Sequence, residues 1–138
     1  MRELRSGAPL PRRTRVALAA RIVRYYLQVR VAVARRPLPA IAAEIAASQP
    51  RTGTPLPARQ LAWAVDRTLR VGSRRPRCIF NALVLYRLLR EQGDPAELVV
   101  GLPSSPVNKD AHAWVELEGV DVGPPPGRAG HEPMARFA

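Results

Sequence analysis

The strongest constraint on the fold of this chain is a helix that opens on its only cysteine. Pro76 and Arg77 lead into Cys78. From there Ile79, Ala82, Leu83, Leu85, Tyr86 and Leu89 recur at helical spacing, so one face is apolar. Gly93 suits the C′ position and Pro95 follows it, which ends the helix near Glu91. An apolar helix face has to be covered by another element. The next residues supply one. Gly93 to Pro95 make a turn, Ala96 to Gly101 read as a short strand, and Pro103 to Asp110 as a polar loop. His112 then opens a second strand. Ala113, Val115 and Leu117 point one way along it, and His112, Trp114 and Glu116 the other.

The lengths match. A helix over 78–91 carries the chain about 20 Å from Cys78, and a six-residue strand returns about 20 Å. Cys78 and His112 are therefore expected at the same end of a helix packed on a sheet. A thiol in a first turn faces free backbone N–H groups and the positive end of the helix dipole, and Arg74, Arg75 and Arg77 add charge. That setting favours the nucleophilic thiolate. The plain alternative is a cysteine packed as a small hydrophobe. The Cys78 N–H is a natural oxyanion donor.

Glu118-Gly119 is a plausible hairpin turn, with Val120-Asp121-Val122 returning. Asp121 then shares the face of His112 and is the candidate for orienting its imidazole. In a tight hairpin, however, Asp121 stands opposite Glu116, roughly 13 Å along the strand from His112, and only a longer loop or a bulge brings it closer. Asp110 is a reserve for the same role. Trp114 either walls the cleft or simply packs, and Asn81, a turn beyond Cys78, is expected to face solvent.

Cys78 to Leu83, Leu88 to Gly93, Ala96 to Gly101 and Ala111-His112-Ala113-Trp114-Val115-Glu116, in this order, resemble the lasso peptide biosynthesis B2 family. These are leader peptidases of transglutaminase-like (papain-like) fold. The resemblance covers residues 78–122. It implies a Cys–His–Asp cysteine endopeptidase that removes the leader from a ribosomally made precursor peptide; separately, the residues carry no motif that calls for a cofactor or metal. Cys78 matches the nucleophile and His112 the base. The family's acid falls in the run Pro124 to Pro126, so its role is carried to Asp121. The implied partners are the precursor, a separate leader-binding protein (a peptide recognition element) and an ATP-using lasso cyclase. Two rival readings stand beside this one: another acyl transfer, of transglutaminase or amidase type, on the same residues, and a non-enzymatic basic helical binding module.

At 138 residues the chain is one domain with an arm. Residues 1–13 read as a flexible basic arm and 14–138 as a single domain, with a helical part at 14–72, a catalytic core at 73–123 and an irregular tail at 124–138. In the helical part, helices are expected over 14–35, 40–47 and 58–71, separated by Pro37, Pro39 and the loop Ser48 to Pro57. Helices followed by a small antiparallel sheet make an α+β pattern. One cysteine excludes an internal disulfide and fits a cytoplasmic protein. The net charge of +11 comes almost wholly from scattered arginines, Lys109 being the only lysine. It shows no basic stripe interleaved with aromatics of the kind that grips nucleic acid. Arg21 and Arg24 interrupt the first apolar run, so neither a secretory signal nor an integral membrane segment is expected. No zinc spacing or phosphate loop occurs, and His131 reads as a surface histidine.

Overall fold

The structure, a computed structural model, describes residues 11–48, 50, 55–70, 78–103, 112–122 and 131–138, with the side chains of Cys78, Leu102, Pro103 and His131 outside the description. Four helices come first: α1 (Arg12–Arg35), α2 (Leu38–Ala46), α3 (Ala58–Leu69) and α4 (Cys78–Glu91). Four strands follow: β1 (Ala96–Pro103), β2 (His112–Leu117), β3 (Val120–Asp121) and β4 (His131–Phe137). The strands form one antiparallel sheet in the order β3-β2-β1-β4. The fold is α+β, and its organising element is α4, which packs on β1 and β2 and also against α1, α2 and α3.

That central position explains how α4 departs from the expected one-sided helix. Val84 and Leu88 are as deeply buried as Leu83, Tyr86 and Leu89, so the helix is covered nearly all round over residues 82–89. The sheet takes one side and three helices the rest, and a helix enclosed in this way is apolar around its circumference. Its end is set locally. Gly93 has φ +91, its N–H donates to Arg90 O at 3.1 Å, and Asp94 N donates to Leu89 O at 3.0 Å. This is a Schellman closure, which satisfies carbonyls the helix would leave bare and turns the chain into β1.

Prolines set the other helix starts. Pro11, Pro37 and Pro57 stand at the N-caps of α1, α2 and α3, where a missing N–H costs nothing and the preceding residue is kept out of helix. Helix α1 begins at Arg12, two residues before the expected start, so Arg12 and Arg13 belong to it rather than to an arm. Residues 1–10 of that arm lie outside the described residues.

One polar cluster ties α1 to α4. The Tyr25 hydroxyl bonds the buried Glu91 carboxylate at 2.8 and 2.9 Å. Arg87 stacks 3.8 Å from the Tyr25 ring centroid and bonds both Glu91 (3.3 Å) and Gln28 (2.6 Å). A buried carboxylate is tolerable only when its oxygens are taken up in this way.

The tail departs from expectation. The sequence predicts an irregular stretch over 124–138, yet His131–Phe137 form β4, paired with β1. Strand β1 has a second edge to satisfy, and pairing supplies the hydrogen bonds whatever the side chains are. Among the described residues no helix is long and apolar enough to cross a membrane.

Candidate active site

The two residues expected to carry chemistry both open an element. Cys78 is the first residue of α4 and His112 the first of β2. Helix α4 descends about 20 Å, the Gly93 turn reverses the chain, and β1 climbs back beside it to Gly101. The Cα partner of Gly101 is His112. His112 thus stands at the end of the sheet toward which α4 begins, on a strand that α4 packs against. Its ring is half-buried.

The alternation along β2 divides its side chains as the sequence requires. Ala113, Val115 and Leu117 enter the core against α4. His112, Trp114 and Glu116 line the opposite face. There the indole lies with its centroid 6.3 Å from that of the imidazole, the planes inclined at 31°. The indole is held at both ends. Trp114 Nε1 donates to Glu116 Oε2 at 2.8 Å, and the six-membered edge covers Gly101. A Cβ added at Gly101 would lie 2.7 and 2.9 Å from Trp114 Cη2 and Cζ3, and 2.6 Å from Glu132 O. Only glycine lets the ring and the β4 backbone come this close. The irregularity in the β1–β4 register falls at the same place, between Val100 and Gly101.

Glu116 is 1 % exposed. Its second oxygen, Oε1, accepts from Arg136 NH1 at 2.9 Å, and the same guanidinium lies 3.7 Å from Glu97. The hydrogen bond and charge of Glu116, assisted by Glu97, raise the Arg136 pKa still further above its ordinary range. A row therefore runs along this face from imidazole to indole to carboxylate to the guanidinium of β4. Sequence reading caught its first three members through the alternation of β2. It missed Arg136 and Gly101. The trace they left was slight: a glycine closing an apolar strand, and an arginine beside Phe137 in a stretch without clear periodicity.

Asp121 is placed by a hairpin of the tight kind. Glu118 (φ 54) and Gly119 (φ 81) form a two-residue turn with both φ positive, as a type I′ turn demands. Asp121 pairs with Glu116 and Val120 with Leu117, without a bulge. The half-buried Asp121 thus belongs to the Glu116 end of the face, roughly 13 Å along the strand from His112. Asp110, Arg74, Arg75 and Arg77 lie outside the described residues. Asn81 is less open than expected. It is half-buried, and its Oδ1 has no hydrogen-bond partner among the described residues.

No group of three or more His, Cys, Asp or Glu side chains among the described residues is arranged to hold a metal ion. A family model described as the transglutaminase-like superfamily matches residues 12–136. No curated protein and no solved structure matches the chain.

Proposed function

The chain belongs to the transglutaminase-like superfamily, and from that premise we propose that it is a cysteine endopeptidase removing the leader from a ribosomally made lasso peptide precursor. One observation carries the reading. Within a family span of residues 12–136, a helix opening on the only cysteine packs against a strand opening on histidine. The superfamily's chemistry rests on cysteine-dependent acyl transfer, and these are the residue types it needs.

In the proposed reaction, His112 takes the thiol proton and the Cys78 thiolate attacks the scissile carbonyl of the precursor. The tetrahedral oxyanion is held by backbone N–H groups of the first α4 turn. His112 protonates the departing amine, leaving an acyl-enzyme that water hydrolyses to regenerate the thiol. Asp121 is proposed to orient His112. The tight hairpin pairs Asp121 with Glu116, roughly 13 Å along the strand from His112, so an Asp121→Asn variant that cleaves at the wild-type rate would move the role to Asp110 or to a backbone carbonyl. The precursor would be delivered by a separate leader-binding protein and the product passed to the lasso cyclase, all in the cytoplasm, where a lone thiol stays reduced.

The test has two parts. Iodoacetamide alkylation of Cys78, followed against pH, should show a thiolate forming well below the ordinary cysteine range of about 8.5, and His112→Ala should return it toward that value. An ordinary thiol in the wild type would end the proposal. Cleavage of the precursor, followed by mass spectrometry with the leader-binding protein present, should vanish in Cys78→Ala. Adding a primary amine separates hydrolysis from the rival acyl transfer: an amide product in place of free acid would move the assignment to transferase.

A further inference from the structure

Helix α1 is apolar on two sides, and among the described residues only one of them is buried. Leu18, Ile22, Tyr25 and Val29 are buried against the rest of the molecule. Val16, Ala20, Val23, Leu27 and Ala34 share the opposite side at spacings of three, four and seven residues, with Val31 beside them. These face solvent: Val16 is 61 % exposed, Val23 43 %, Leu27 57 % and Val31 53 %. The exposed Trp63 of α3 stands next to the N-terminal half of α1, in a groove lined by Arg15, Leu18 and Ala19.

The charge around this stripe has one sign. Helix α1 carries seven arginines and no acidic residue. Arg12, Arg13, Arg15, Arg24, Arg30 and Arg35 are all exposed, and they border the stripe on both sides. We infer that this face of α1 lies flat on an anionic membrane surface, the aliphatic side chains entering the acyl boundary and the arginines reaching the lipid phosphates. Three features select that occupant. A second copy would set face to face two helices whose only charged residues are arginines, in a chain of net charge +11. A nucleic acid would take the arginines but leave the aliphatic stripe in water. A protein partner would be expected to anchor on buried aromatics within the stripe, whereas the stripe here is a convex ridge of valine, alanine and leucine. A flat-lying helix needs an apolar ridge, arginines long enough to snorkel and an indole at the margin, and all three are present. The peptidase chemistry plays no part in this contact.

The experiment is co-sedimentation of the full chain with vesicles of phosphatidylcholine containing about 30 mol% phosphatidylglycerol, against pure phosphatidylcholine. Binding is expected on the anionic vesicles alone, falling as salt rises from about 0.1 M to about 0.5 M. Val23→Gln with Leu27→Gln leaves every charge in place and should weaken binding about tenfold or more. Arg24→Gln with Arg30→Gln should weaken it by a similar factor. Met134→Glu alters net charge on β4, away from α1, and should leave binding nearly unchanged. All these sites are exposed, and circular dichroism verifies that each variant is folded. Failure of the wild type to sediment with anionic vesicles overturns the inference, as does undiminished binding by the Val23/Leu27 variant. So does a concentration-dependent dimer that the same variant abolishes, or binding of a soluble Glu-rich amphipathic peptide without any vesicle binding.

Discussion

The two faces of β2 are built from alternate residues of one six-residue strand, yet they solve opposite problems. The face toward α4 holds Ala113, Val115 and Leu117 in a dry core, where shape and area decide. The other holds His112, Trp114 and Glu116, with an indole N–H on a carboxylate, a carboxylate on a guanidinium and an imidazole beside an indole. The first face makes the molecule stable. The second spends burial on groups that stability alone would not select, since a buried ion pair is often no better than apolar packing. The difference teaches that period-two alternation can place a packing face and a polar, hydrogen-bonded face on a single strand.

The most severe way to break this comparison is on the polar face. His112→Ala should lower precursor cleavage by about three orders of magnitude or more, while the thermal midpoint moves by only a few degrees, because a half-buried ring at a strand start holds little of the core. A midpoint that collapsed together with activity would make His112 a structural residue. The opposite face should answer in reverse. Leu117→Ala removes a side chain that is 1 % exposed and should cost about 2–5 kcal/mol in urea unfolding. Cleavage per folded molecule should stay near wild type. A large activity loss at full folding would show that the two faces are not separable.

Much of this was legible from the residues alone. The limits of α4, its glycine stop, the strand from His112 to Leu117, the turn at Glu118-Gly119 and the opposition of Asp121 to Glu116 all follow from local chemistry: periodicity, a helix closure, and a turn that needs positive φ. What was not legible depends on partners distant in sequence. The full enclosure of Val84 and Leu88 results from three helices meeting α4 opposite the sheet, and periodicity counts faces only after the neighbours are known. Strand β4 carries Pro133 and the exposed Glu132, Met134 and Arg136, so nothing in its own composition asks for a strand. The demand comes from the open edge of β1. Arg136 escaped notice for the same reason, since its value lies in a carboxylate twenty positions earlier in the chain.

Gly101 offers a subtler disturbance, because it lies beneath the indole and against the β4 backbone rather than in the polar row itself. Gly101→Ala would drive a methyl into Trp114 and the Glu132 carbonyl, a backbone group that cannot swing away. The expected cost is about 1–3 kcal/mol. If the indole positions His112, the pH at which Cys78 alkylation turns on should shift as well. A stability loss with an unchanged alkylation profile would leave Trp114 as packing alone.

The smallest expected effect lies in the core, where one polar group lacks what Glu116 has. Tyr86 is fully buried, and its hydroxyl has no hydrogen-bond partner among the described residues. Burial raises its pKa above the ordinary 10.0, Arg90 opposes the shift and Glu97 adds to it. The folded protein therefore keeps this proton at a pH where the unfolded chain has released it. The stabilising preference is complete below pH 10.0 and is lost as pH rises from there through the raised folded value, so stability should fall over that window. Tyr86→Phe removes both the unbonded hydroxyl and the titration. It should be neutral or stabilising by up to about 1 kcal/mol at neutral pH, and urea unfolding should show a shallower decline above pH 10.0 than in the wild type. A loss of several kcal/mol would instead mean that the hydroxyl is bonded, and that the core beneath the sheet is not as dry as its face of β2 implies.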